Sequence, residues 1–335
     1  MVKAAVIGCG RIASGFDDDP KRKMISTHIG AYQHVKGIDV VAICDRDNNL
    51  LNDVCRKWGI KRGYTDYLEM LRKEQVDIVS VCTPPSTHAP IVIDIAKHKL
   101  AKAIFCEKPM AASLKEAKVM IEACHRNKII LQIDHQRRFD QLHQAIRDKI
   151  QSKVWGRVQR ANFYYSAGIR NTGSHMFDLL RFFFGDARWV QAYPSANVSH
   201  QNNDPNLDGF IQFKDGLLAT FQALDHKNYM IFELDCYFEG ARIIIQHSGL
   251  DAQFYKVEAS KFFSGYKALL QAALPFKKDY KRSFMVNAVK EMMNSLKEGR
   301  PSLSSGQDGL GAMELIEMSL ASAKAQGKRM LIRGY

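Results

Sequence analysis

Glu107-Lys108-Pro109 sets a lysine between an acid and a proline, directly after the apolar run Ala101–Cys106. About a hundred residues upstream, Gly8-Cys9-Gly10 forms a glycine-rich turn. A lysine at a strand end near a dinucleotide turn suggests a proton-handling group beside a nicotinamide. Oxidising a secondary alcohol moves a hydride to nicotinamide C4 and a proton to a base, and that base works best with a pKa near the working pH. A lysine amine starts near 10.4 and must be lowered by burial or positive charge, whereas a histidine starts near 6.5. His175 offers such an imidazole, within Asn171-Thr172-Gly173-Ser174-His175-Met176-Phe177-Asp178. Simpler roles stay open: Lys108 could pair only with Glu107, and His175 could be a helix-cap or core residue.

Gly8-Cys9-Gly10-Arg11-Ile12-Ala13 reads as G-x-G-x-x-A directly after a strand. Glycines there let the backbone turn tightly and approach a pyrophosphate, which rests on a helix N-terminus. Asp45 closes the second strand, placed to hold the adenosine ribose hydroxyls. It stands 32 residues beyond Ala13, where about 20 is usual. Ser14–Ser26 accounts for the excess as a polar inserted loop, and its run Asp17-Asp18-Asp19 reads as solvated charge with no metal site implied. A carboxylate at 45 favours NAD, while Arg46 leaves NADP open because an arginine there can accept a 2′-phosphate. Thr83-Pro84-Pro85-Ser86-Thr87-His88 follows the third strand. Thr83 and Pro84 are expected to line the cofactor site, and His88 either touches cofactor or faces solvent.

The elements that must position these residues are legible. Lys3–Ile7, Val40–Cys44, Ile78–Cys82, Ala103–Cys106 and Ile129–Ile133 are short apolar runs. Amphipathic stretches alternate with them, including Leu50–Trp58, Tyr67–Glu74 and Pro90–His98. This alternation predicts a doubly wound parallel sheet. Ser113, with Glu116 three residues on, predicts a capped helix over Ser113–Asn127. Beyond about residue 135 the pattern changes to strands over Val158–Tyr165, Gly209–Phe213, Leu217–Ala223, Phe232–Phe238 and Ala241–Gln246. Lys214-Asp215-Gly216 and Glu239-Gly240 are hairpin turns. Helices are expected over Ser283–Lys297 and Asp308–Ala325, with Gly327 at the C′ position of the second. A short strand, Arg329–Ile332, ends the pattern. Lys256–Tyr280 shows no clear period and is read as an interface or flap. The expected architecture is α/β: a Rossmann domain over 1–124, then an α+β domain with an open, mostly antiparallel sheet over 125–335.

The chain has 335 residues and 46% hydrophobic content, which suits a globular protein. No apolar run reaches the ~18 residues of a membrane span, and Met1–Ile7 reads as a strand, not a signal peptide. Seven cysteines without a C-x-x-C pair read as small buried residues in a reducing cytoplasm. The net charge of +13 is spread along the chain without a basic block. It suits an anionic cofactor and an anionic small substrate better than nucleic acid or a membrane.

Taken together, these motifs resemble the Gfo/Idh/MocA family of oxidoreductases, over nearly the whole chain and including Glu298-Gly299-Arg300-Pro301. The resemblance implies NAD(P)-dependent oxidation or reduction of sugars, cyclitols or nucleotide sugars. It matches Lys108 to the catalytic lysine and His175 to the histidine of the second motif. Glu107, Arg11 and Ile12 join the expected cofactor contacts, and Arg137 in Arg137-Arg138-Phe139-Asp140 resembles a substrate-touching arginine. Arg137 and Arg138 could equally be surface charges. Many members carry an aspartate four residues before the histidine, where this chain has Asn171. That departure puts an Asp/His/Lys relay in doubt and looks closer to the branch acting on UDP-linked amino sugars and uronates in surface-polysaccharide synthesis, with Asn171 orienting substrate. The family also contains a non-catalytic dinucleotide-binding regulator and NAD-dependent glycoside hydrolases, so both remain alternatives. Homo-oligomers, dimers or tetramers, are implied by analogy alone.

Overall fold

A computed structural model describes residues 1–276 and 283–334. The chain divides into two compact units, Met1–Asp140 with Lys281–Leu310, and Gln141–Tyr280 with Gly311–Tyr335. The division after residue 140 replaces the boundary expected at 124, because the strand at Ile130–Ile133 belongs to the first sheet. The second excursion into unit 1, at 281–310, is a non-local return that no linker composition announces.

In unit 1, β1 (Val2–Ile7), β2 (Ile38–Cys44), β3 (Gly63–Tyr64), β4 (Ile78–Val81), β5 (Ala103–Cys106) and β6 (Ile130–Ile133) form one sheet in the order β3-β2-β1-β4-β5-β6. Every pair is parallel. The order reverses between β1 and β4, and open α/β sheets bind ligands at the carboxyl ends beside such a switch. The helices α1 (His28–His34), α2 (Asn48–Trp58), α3 (Tyr67–Glu74), α4 (Pro85–Lys97) and α5 (Leu114–Arg126) connect the strands. α4 starts five residues before the expected Pro90, because Pro85 occupies its first turn, where a missing N–H costs nothing. The Ser113 hydroxyl accepts from Glu116 N, and the Glu116 carboxylate accepts from Ala112 N, close to the expected capping box. Helix Phe284–Glu298 buries Met285, Val286, Val289 and Met292 in the same core as Ile29, Tyr32 and Phe105. Each such side chain contributes about 1.5–3 kcal/mol by leaving water.

In unit 2, α6 (Gln141–Gln151) precedes β7 (Val158–Tyr165) and α7 (Gly173–Phe184). The strands β8 (Ala187–Pro194), β9 (Leu207–Phe213), β10 (Leu218–Ala223), β11 (Phe232–Phe238), β12 (Ala241–Gln246), β13 (Asp251–Ala259) and β14 (Lys267–Ala272) follow. With Met330–Leu331 they build a nine-stranded sheet whose one parallel pair is β7 with β10. The expected hairpins turn at Gly216 (φ +94°) and at Glu239-Gly240. The patternless stretch holds the end of β13 and all of β14, paired as a hairpin up to residue 272. β14 alternates only between half-buried and exposed positions, so it carries no buried stripe to reveal it. The rest of that stretch, from 277, lies outside the described residues.

Candidate active site

The carboxyl ends of the unit 1 strands gather the expected cofactor residues. Gly8 follows β1 with φ +93°, and a Cβ there would lie 2.8–2.9 Å from the backbone of Cys82 and Thr83. Only glycine fits this close approach. At Gly10, by contrast, a Cβ would meet nothing within 4 Å. Asp45 follows β2, and its two carboxylate oxygens accept from Cys9 N at 2.7 Å and Asp47 N at 3.0 Å. The acid therefore ties the glycine turn to the end of β2. Ile7, Gly8, Gly10, Asp45, Arg46, Thr83 and Pro84 line one cavity of about 630 Å³, together with Leu50, Thr65 and Tyr67. An open wall beside Gly10, a carboxylate at the second strand end and an exposed arginine next to it fit a dinucleotide.

Arg11 and Ile12 lie just past the turn, with Ile12 packed against the core. Two guanidinium groups lie over the Phe16 ring, Arg11 at 4.7 Å and Arg22 at 4.2 Å from its centroid. The inserted loop is not merely solvated. Asp17 accepts from Ser26 N and from the Thr27 hydroxyl, and Thr27 caps α1. Lys57 donates to Ser14 O and pairs with Asp18, while Trp58 Nε1 donates to Ser14 Oγ. The loop is thus pinned to α2.

His88 neither faces solvent nor lines the cavity. It is buried, with Nε2 2.7 Å from Thr83 O and Nδ1 2.9 Å from Pro109 O. Two carbonyls favour the charged ring, but burial dominates and lowers its pKa. A neutral ring has one N–H, so one carbonyl receives it. His88 therefore bridges the two loops that carry Thr83 and Lys108.

Glu107 and Lys108 follow β5, Lys108 half-buried and Glu107 buried. Glu107 does not simply pair with its neighbour. Its Oε1 lies 2.9 Å from His28 Nε2, and Lys108 N donates to Oε2 at 3.2 Å. His28 Nδ1 lies 2.9 Å from Ser80 Oγ, which lies 2.8 Å from Tyr32 OH. Asp134, after β6, brings a carboxylate oxygen within 4.8 Å of Glu107 and His28. Among the described residues, His28, Glu107 and Asp134 form the one group of such side chains whose ligand-type atoms all lie within 4.8 Å of each other. His28 and Glu107 are in hydrogen-bond contact with Asp134 beside them, an arrangement that suits a proton network. Sequence reasoning missed His28, Ser80 and Asp134. The one signal for Asp134 was an acid directly after the apolar β6.

Arg138 is buried, donating to Leu303 O and pairing with Asp308 at 3.0 Å, so it serves the fold. Arg137 is half-buried on the turn Gln136–Phe139.

Unit 2 supplies Asn171 and His175. Ala167 (φ +64°) and Gly168 (φ +91°) bend the chain into the tight turn Gly168–Thr172 that leads into α7. Asp204 holds this turn: its oxygens accept from Arg170 N at 2.7 Å and Asn171 N at 2.9 Å. Asn206 Oδ1 accepts from Gly168 N, and Ser174 Oγ donates to Asn171 O. Asn171 is exposed, His175 half-buried and Asp178 buried. Asp204 and Asn206 were not foreseen, since they lie more than thirty residues away in a polar loop.

All seven cysteines are free and six are buried. Burial pushes the thiols up, Cys44 and Cys124 to about 12, so they are inert neutral groups. No helix among the described residues is long and apolar enough to cross a membrane.

Residues 2–135 match the family model described as "Oxidoreductase family, NAD-binding Rossmann fold". Those residues carry the Rossmann domain of the Gfo/Idh/MocA oxidoreductases. The chain is an NAD-dependent oxidoreductase, with the cofactor site in unit 1. It is 27% identical to a D-apiose dehydrogenase of Paraburkholderia graminis, over 96% of this chain and 88% of that protein. It is 31% identical to a myo-inositol 2-dehydrogenase of Thermotoga maritima over 47% of this chain and 42% of that one. Its fold matches the WlbA dehydrogenase of Bordetella pertussis, solved with NADH and UDP-GlcNAcA. That match has a TM-score of 0.78 at 19% identity over 99% of this chain and 98% of that one.

Proposed function

We propose that this oxidoreductase moves a hydride between nicotinamide and a secondary alcohol or ketone of a sugar or polyol. Lys108 and His175 serve as its acid–base groups. The observation that carries this reading is the placement of Lys108 at the end of β5, in the sheet whose β1 and β2 ends form the dinucleotide cradle. Bound NAD supplies the hydride acceptor. Gly8 and Gly10 admit the pyrophosphate, and Asp45 holds the ribose. Lys108 hydrogen-bonds the carbinol oxygen and stabilises the charge that develops there. His175 takes the hydroxyl proton and returns it in the reduction direction. Asn171 donates to or accepts from a substrate hydroxyl without taking a proton.

A relative matched over 88% of its length is a D-apiose dehydrogenase, which favours a free sugar. A second reading, a nucleotide-linked sugar, is favoured by Asn171 and by the net charge of +13. NADH formation across aldoses, inositols and UDP-linked sugars separates the two. Net NADH also excludes a glycoside hydrolase, which regenerates its cofactor, and a regulator, which makes none. Lys108→Met is expected to lower kcat at least 100-fold while NAD still binds, in line with about 10²–10⁴-fold for acid–base groups. Wild-type turnover in that variant refutes the assignment.

A further inference from the structure

The buried contacts behind Lys108 form a directed chain. Tyr32, Ser80 and His28 are fully buried, and Glu107 and Asp134 are 8% and 4% exposed. Burial lowers the His28 pKa to about 4, so the ring is neutral near pH 7. Its 2.9 Å contact with Glu107 is therefore a hydrogen bond from a neutral donor, although its geometry is that of an ion pair. A neutral ring has one N–H, and a carboxylate can only accept. Nε2–H must then donate to Glu107, Nδ1 must accept from Ser80 Oγ–H, and Tyr32 O–H donates to Ser80. With Lys108 N–H, Glu107 already receives two donors.

Asp134 faces this same carboxylate, with an oxygen within 4.8 Å of Glu107 and of His28. Two ionised carboxylates in contact in a dry site are strongly disfavoured. Burial raises both acids, and the Glu107 charge raises Asp134 further, well above its ordinary value. The donors converging on Glu107 keep the charge there, and the proton stays on Asp134.

We propose that Asp134 is a carboxylic acid that donates to Glu107, that the two acids share one proton, and that this arrangement fixes a single buried negative charge behind Lys108. Asp134 is then a positioning residue that sets the charge partner of Lys108. The other titratable groups around the pair are His28 and Tyr32 of α1, Cys82 after β4, Cys106 of β5 and Lys108 itself. The two thiols stay neutral, because burial raises them well above their ordinary value. The inference rests on the proposed role of Lys108 only for what the charge is used for.

The test reads the protein itself and needs no substrate. The infrared spectrum at neutral pH should show the carbonyl stretch of a protonated carboxylic acid, and Asp134→Asn should remove it. Competitive acetylation of lysines with acetic anhydride, followed by peptide mass spectrometry, gives the apparent pKa of Lys108. Glu107→Gln should lower it by about one unit or more, as expected when an opposite charge a few ångströms away is lost. Asp134→Ala should move it the same way, and Asp134→Asn, whose amide donates as the acid does, should restore it. If Asp134→Ala does not fold, the infrared band and the Asp134→Asn titration still decide. The inference is overturned if the band survives in Asp134→Asn, if that variant shifts Lys108, or if purified protein holds a stoichiometric divalent metal that Asp134→Asn loses. An active Lys108→Met would refute the function while leaving these results unchanged.

Discussion

Gly8 and Gly10 belong to one turn, yet they should fail in opposite ways when a methyl group is added. At Gly8 the new Cβ would sit 2.8–2.9 Å from the carbonyl carbon and oxygen of Cys82 and the nitrogen of Thr83. All three are backbone atoms just beyond β4, which β1 pairs directly. Ordinary contact begins near 3.4 Å, so the ends of two central strands would have to part by half an ångström. The residue also sits at φ +93°. A side chain there costs roughly 1–2 kcal/mol before any clash, and the clash raises the total to about 2–4 kcal/mol. Gly10→Ala meets no protein atom within 4 Å, so its effect on stability should stay within about 0.5 kcal/mol. Its methyl would instead enter the space the pyrophosphate needs. Urea unfolding of the apo-proteins measures the first effect, and titration with NAD measures the second. Gly8→Ala should lose stability, and Gly10→Ala should lose NAD affinity at wild-type stability. A Gly10→Ala protein that binds NAD as wild type does would refute the placement of the cofactor against this turn.

Two further outcomes are expected. Asp134 has a folded-state pKa well above its unfolded one, so its contribution favours the folded state at low pH and is lost as pH rises from about 4 towards the folded value. Each bound proton changes stability by about 1.4 kcal/mol per pH unit. Wild type should therefore lose about that much per unit relative to Asp134→Asn between pH 5 and 7. His28, lowered to about 4, works the other way between pH 6.5 and 4, but it is present in both proteins and largely cancels in the difference. Parallel stability curves by urea titration would count against a proton on Asp134. In unit 2, Asp204→Ala strips two backbone amides of their acceptor, at about 2–4 kcal/mol. It should depress turnover while NAD affinity, which depends on unit 1, holds. Calorimetric NAD titration beside kcat shows the split, and an equal loss in both would refute it.

Much of the fold was legible because burial writes a pattern. β5, β7, β11, β12 and α3 fall on the expected residues. β5 is buried throughout, β11 and β12 alternate strictly, and β7 alternates over its second half. β14 was missed because an edge strand that is never buried has no contrast to display. The domain boundary was misplaced for another reason. β6 completes the first sheet only through its pairing with β5, and helix Phe284–Glu298 returns to the same core from far along the chain. Ile129–Ile133 was legible as a strand of that sheet, so a boundary at 124 ran against the pattern, while local composition carries no record of the helix's return.

The candidate site divides along the same line. Gly8, Asp45, Thr83 and Lys108 were found because each follows a recognisable strand, and strand ends of a parallel sheet are where ligands bind. The groups that govern their charge were not found. His28 looks like an ordinary first-turn residue until its Nε2 meets Glu107 across 79 positions. Asp134 looks like a solvated acid after a strand until it proves 4% exposed beside a second carboxyl. An acid's protonation state depends on what surrounds it in three dimensions, and here the surroundings come from the ends of β4, β5 and β6 and the start of α1. The motif names the lysine, but the charge it sees is set by an acid and an imidazole that no motif contains. A change at Asp134 should therefore alter the chemistry of Lys108 while every residue of the Glu107-Lys108-Pro109 motif stays in place.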